Sequence, residues 1–150
     1  LNVEWEWPLR HTRGVADRVP TVIEKAAREA MIAEAHGAPL AAILLARTAI
    51  EAAAKHHGIT KPSLSLKGRI DKLVEGNLLS TDTGELAHQI RDVGNGAAHG
   101  DLEVLADPDL KGEAELTLDL MNFDLTERYT IPGHLAELQT RILMRSEGPH

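Results

Sequence analysis

The chain contains no cysteine. Disulfide staples, thiolate nucleophiles and cysteine-held metals are excluded, and the absence suits a reducing cytoplasm, the compartment expected here. Aromatic residues make up only 3% of the sequence, so the core must come from Leu, Ile, Val and Ala. That set suits packed helices better than a β-sandwich. No apolar run approaches the ~20 residues of a membrane-spanning helix, so no membrane partner is expected. No secretory signal pattern is visible, although the chain begins at Leu1 rather than at a methionine, so part of the natural N-terminus is expected to be missing. There is no Walker-type phosphate loop, no Gly-x-Ser-x-Gly elbow and no zinc-ligand spacing, and neither a cofactor nor a metal is expected.

Charge is present but uneven. The net charge is −7. Residues 1–100 carry 12 acids and 12 bases, whereas residues 101–127 carry nine acids and one base, Lys111. A basic coat for nucleic acid is thereby excluded, while a local basic site on the first 100 residues is not. The acidic stretch would repel a phosphate backbone.

What the chain has in abundance is helical periodicity. Leu1 to Val19 shows no clear period, and Trp5, Trp7 and Pro8 read as an extended arm whose indoles pack on something, most simply their own domain. Pro20 to His36 has apolar residues at helical spacing and stops at Gly37. Pro39 to His57 has a wide apolar surface (Leu40, Ile43, Leu44, Ala46, Ile50, Ala53), which marks a central helix. Ser65 to Gly76 is a short helix. Asp82-Thr83-Gly84-Glu85 resembles a capping box and starts the next one. Residues 101–112 read as a loop and Glu113 to Tyr129 as a helix. Ile131-Pro132-Gly133 reads as an interruption before a last helix ending near Arg145. The expected fold is an all-α bundle of about five or six helices. It occupies residues 20–145 as one domain, with an arm before it and a tail at 146–150.

One stretch accepts costs a plain helix would avoid: Gln89-Ile90-Arg91-Asp92-Val93-Gly94-Asn95-Gly96-Ala97-Ala98-His99-Gly100. Arg, Asn and His are expensive to bury unpaired, and glycine weakens a helix. Residues four apart are offset by ~40° around an α-helix, so Arg91, Asn95 and His99 should form one slanting stripe at the edge of the core. The long apolar helix would supply partners through Arg47 and Glu51, themselves four apart. Two readings of this cluster stand. In one, Asn95 and the glycines shape a helix end and Arg91–Glu51 is a bundle salt bridge. In the other, His99 is an acid–base group and Arg91 clamps a phosphate, a pairing able to cut RNA without metal by using the neighbouring 2′-hydroxyl.

Three further patterns are weaker. Glu85-x-x-His88 would need a second such pair to hold two metals, so it reads as helix surface. His56-His57 closes a helix, where a cation favours the dipole. Lys61, Lys67, Arg69 and Lys72 form a modest basic cluster, usually a solvated face; with Arg47, Lys67 and Arg69 are the candidates for contacting an RNA backbone.

The sequence also resembles a known family. The segments Leu45-Ala46-Arg47-Thr48-Ala49-Ile50-Glu51, Leu66-Lys67-Gly68-Arg69-Ile70-Asp71-Lys72-Leu73 and Ile90 to His99 resemble, in order, a bacterial domain of unknown function. That domain occurs alone or attached to restriction and phage-defence proteins and is grouped with the HEPN superfamily. The resemblance covers roughly residues 20–100. It implies a helical bundle that often dimerises and, in ribonuclease branches, a metal-independent endoribonuclease site shared between protomers. It further implies Arg91 and His99 as the catalytic pair, Asp92 at the intervening polar position, Asn95 as an orienting residue and Glu51 as the acid contacting the motif. Seven residues separate Arg91 from His99, a longer gap than the superfamily pattern. The implied partners are RNA, a second copy, and an antitoxin or restriction-type protein. The alternative is a non-catalytic dimerisation or recruitment module that uses the same residues as a lock.

Overall fold

The computed structural model describes residues 14–62, 64–90 and 93–148. Every regular element among them is helical: α1 (Thr21–Ala35), α2 (Pro39–His56), α3 (Leu66–Glu75), α4 (Thr81–Gln89), α5 (Val93–Ala98), α6 (Leu102–Leu105), α7 (Leu110–Leu125), a π-helical turn (Thr126–Thr130) and α8 (Ile131–Ser146). The arm at residues 1–13 lies outside the described residues, as do Arg91 and Asp92.

Alanine makes α2 the centre. It buries Ala42, Ile43, Ala46, Ala49, Ile50, Ala53 and Ala54. Small side chains let neighbouring backbones approach closely, and α2 packs against α1, α3, α5 and α7. Ala27 and Ala30 of α1 and Ala114 of α7 are fully buried in the same core. Larger residues fill the space around them: Ile70, Leu73, Leu118, Leu120, Met121 and Leu125. Each contributes about 1.5–3 kcal/mol of gross burial free energy.

The expected all-α bundle is what the described residues form, and three details within it are corrected. Among the described residues eight helices accompany the π-helical turn, because short elements occupy stretches read as one helix or as loop. Residues 101–112 hold α6, which forms because the Asp101 carboxylate accepts from the backbone N–H groups of Glu103 and Val104, at 2.9 and 3.4 Å. Helix α4 starts at Thr81 and is capped by Ser80, two residues ahead of the Asp82 expected as its cap. Ile131-Pro132-Gly133 does not interrupt the chain: the π-helical turn runs straight into α8. Its wider register accommodates a ring that has no N–H to donate.

The apolar residues expected to define the last two helices divide. Leu120 and Leu125 are buried, while Leu116 and Phe123 are exposed. Helix α8 buries none of its residues. No described helix is long and apolar enough to cross a membrane.

Candidate functional site

The candidate motif is not one helical stripe. After Gln89 the chain turns extended at Ile90 (φ −81°, ψ 126°), and α5 begins at Val93. Both Ile90 and Val93 are buried. Arg91 and Asp92 fall between the two helices and outside the described residues, so their part in the site is not described. Asn95 is exposed on α5, and His99 is exposed in the turn that ends it.

The end of α5 explains two of the glycines. The Asp101 N–H donates to the Gly96 carbonyl at 2.9 Å, and the Gly100 N–H to the Ala97 carbonyl at 3.1 Å. With Gly100 at φ +70°, this is a Schellman stop, and His99 is its C-cap. A side chain at Gly96 would come within 2.7 Å of Val104 Cγ2, so glycine there lets α6 fold back onto α5. His99 is thus presented at a sharply terminated helix end, facing solvent.

On α2, Arg47 Nε donates to Glu51 Oε1 at 3.0 Å. Their side chains are 19% and 28% exposed, so the pair lies at the core edge, as its spacing predicts. Arg47 also lines a small apolar cavity of about 20 Å³ with Lys67 of α3 and with Ile90 and Val93, the residues flanking Arg91 and Asp92. The sequence-predicted Arg47 and Lys67 therefore share the cavity that Ile90 and Val93 line, with Glu51 held to Arg47. Lys67 Nζ donates to the His88 carbonyl at 3.3 Å, at the C-terminal end of α4, where a cation is favoured.

Arg69 does not share that edge. It is 4% exposed, and its Nη1 donates to the Ile59 carbonyl at 3.1 Å. It pins the loop after α2 instead of belonging to a solvated basic face. His88 contacts Asp71 at 2.6 Å on the surface, so the Glu85–His88 pattern is helix exterior. Among the described residues no group of three or more His, Asp or Glu is placed to hold a metal ion.

The sequence reading missed the most buried polar cluster. Asp124 and Arg128 form an ion pair, one turn apart, with side chains 1% and 0% exposed. Burial pushes the Asp124 carboxyl above its usual range, and the Arg128 guanidinium only partly opposes this. Beside them, Tyr129 Oη lies 2.8 Å from His56 Nδ1, and its ring lies 5.3 Å from that of His57. Burial raises the Tyr129 hydroxyl as well. The His56-His57 pair therefore docks the π-helical turn onto the end of α2. Glu127, from the same turn, accepts from the Ser80 N–H at 2.7 Å, the Ser80 hydroxyl at 2.8 Å and the Thr83 hydroxyl at 2.6 Å. A carboxylate 47 residues away completes the cap that a capping box supplies locally. The Asp124–Arg128 spacing was a visible signal; the reach of Glu127 to Ser80 was not.

The fold and site define an all-α bundle in which α5 presents an exposed Asn95 and ends at an exposed His99, while its first residue, Val93, lines a small cavity together with Arg47 and Lys67. Residues 27–141 match the model of a domain of unknown function, DUF4145, and the chain belongs to that family. No curated protein and no solved structure matches it.

Proposed function

We propose that this chain is a HEPN-like domain of a defence or toxin system that binds RNA and cleaves it without a metal. His99 acts as the acid–base group and Arg91 as the phosphate clamp. Asn95 orients the phosphate, and the Arg47–Glu51 pair fixes the guanidinium edge of the site. The observation that carries this reading is exposure. A structural lock would bury His99 against Glu51, but His99 and Asn95 face solvent and Glu51 is engaged by Arg47. Cleavage by attack of the adjacent 2′-hydroxyl needs only a proton acceptor, a donor to the leaving oxygen and a cation on the phosphate. A homodimer would supply the second proton-transfer group from the other protomer, and an antitoxin or restriction-type protein is the natural controller of such an activity.

The acids of residues 101–127 begin directly after α5 and disfavour an RNA backbone on that side. The strand is therefore directed toward Arg47 and Lys67. Replacement of Lys67 by alanine should weaken RNA binding about equally across sequences and lower the slope of log affinity against log salt by about one, as expected for one lost phosphate contact. Filter binding at several salt concentrations measures both. An unchanged slope would remove Lys67 from the RNA path.

A further inference from the structure

Helix α8 is the one long element that the bundle leaves uncovered among the described residues. Leu135, Leu138 and Ile142 are 55%, 49% and 66% exposed. Their spacing of three and four places them in one narrow stripe, the geometry of a seam made to be covered. The stripe has a basic border: Leu138, Arg141, Ile142 and Arg145 line a shallow surface groove.

The chain itself leads to this groove. The Thr130 hydroxyl donates to the Asp17 carbonyl at 2.8 Å, Arg18 pairs with Glu137, and His134 lies 3.8 Å from the Asp17 carboxylate. A side chain at Gly133 would collide with the Arg18 stem, so glycine there admits it. Residues 17 and 18 are thereby strapped to the first two turns of α8. Upstream, Leu1, Val3, Trp5, Trp7 and Leu9 occupy every second position, with Glu4 and Glu6 between them. In an extended chain such alternation puts the apolar residues on one face and the acids on the other.

We propose that residues 1–9 of this same chain dock, extended, along the apolar stripe of α8, with Trp5 and Trp7 on Leu138 and Ile142 and with Glu4 and Glu6 facing solvent on the opposite side of the arm. Reach is sufficient. The chain from Trp5 to Gly14 spans up to roughly 30 Å, and Gly133 to Arg145 is about 18 Å along the helix. Charge selects the arm over a second copy of α8. Antiparallel self-pairing about Leu138 would bring His134 and Arg141 of one helix against the same basic edge of the other, a cost that the arm, whose apolar face carries no base, does not meet. Tethering at residues 17 and 18 gives the arm a high effective concentration that a separate molecule lacks.

The test is intrinsic fluorescence of the full chain, because its two tryptophans both lie in the arm. The expected emission lies to the blue of free tryptophan, resists acrylamide and does not change on dilution. The double variant Leu138→Glu, Ile142→Glu should move it to the free value and expose it to quencher, with helical circular dichroism unchanged. Should that variant misfold, Ile142→Cys labelled with bimane reports instead: the chain has no other cysteine, and tryptophan quenches this dye on contact. Relief of quenching by Trp5→Phe with Trp7→Phe supports docking. Wild-type emission equal to that of free tryptophan, or a label indifferent to the tryptophans, overturns it. A blue shift that fades on dilution together with a fall in mass assigns the stripe to a second copy and also overturns it.

Discussion

A single carboxylate, Glu127, holds the start of α4 to the π-helical turn. Its burial favours the neutral acid, but the hydrogen bonds from Thr83 and from the Ser80 backbone and hydroxyl outweigh that and hold it below the usual glutamate range. A group depressed in the folded state contributes stability that is complete above its unfolded value, about 4.3, and is lost as pH falls through the lower folded value. Glu127→Gln should cost about 1 kcal/mol near neutral pH. The gap from wild type should narrow as the pH drops below about 4. Urea denaturation across that range is the measurement, and a gap independent of pH would show that the charge is immaterial. At this scale the sequence was partly legible. Arg47 and Glu51 meet as their spacing predicts. Arg69, read as one of a basic cluster, turned out buried, because nothing local reveals that the Ile59 carbonyl waits for it. The local pattern Asp82 to Glu85 resembled a cap while the working acid lay in another helix.

Among elements, the junction of α5 and α6 is the most exacting. Gly96 admits Val104, and Gly100 makes the turn between the two helices. Gly96→Ala should push α6 away and destabilise the protein by about 1–3 kcal/mol, the usual range for overpacking. Adding Val104→Ala should restore part of that loss, because it removes the colliding methyl. Thermal melts of the two single variants and the double variant give the coupling; strict additivity would mean that the contact does not govern the fit. The long helices were legible because their apolar residues recur over several turns, as in α1 and α2. The break between Gln89 and Val93 was not. Helical spacing of Leu86, Ile90 and Val93 reads identically whether one helix carries all three or two helices bury them from different directions. A proline at the head of α8 looked like a stop because the π-helical turn that accommodates it has no sequence signature of its own.

At the scale of the whole molecule, the bundle is organised so that α2 carries structure on one flank and the candidate site on another. Its far end is anchored by His56, His57 and Tyr129, with the Asp124–Arg128 pair buried alongside. Its middle presents Arg47 and Glu51 where α3 and α5 converge. The all-α class followed from scarce aromatics and dense alanine, since such a composition fills a bundle but leaves a sandwich hollow. The glycine–asparagine–histidine stretch stood out in the sequence, and two of its glycines have a structural account: Gly96 admits Val104, and Gly100 makes the Schellman turn whose C-cap is His99. An exposed histidine at a built helix end is what the proposed ribonuclease chemistry requires of His99. The most direct measurement is incubation of the purified protein with total RNA in EDTA, beside a His99→Ala variant whose melting temperature is also recorded. The account predicts cleavage by the wild type alone, at an unchanged melting temperature. No cleavage by either protein, with His99→Ala clearly less stable, would contradict it and leave the site as a structural element of an interaction module.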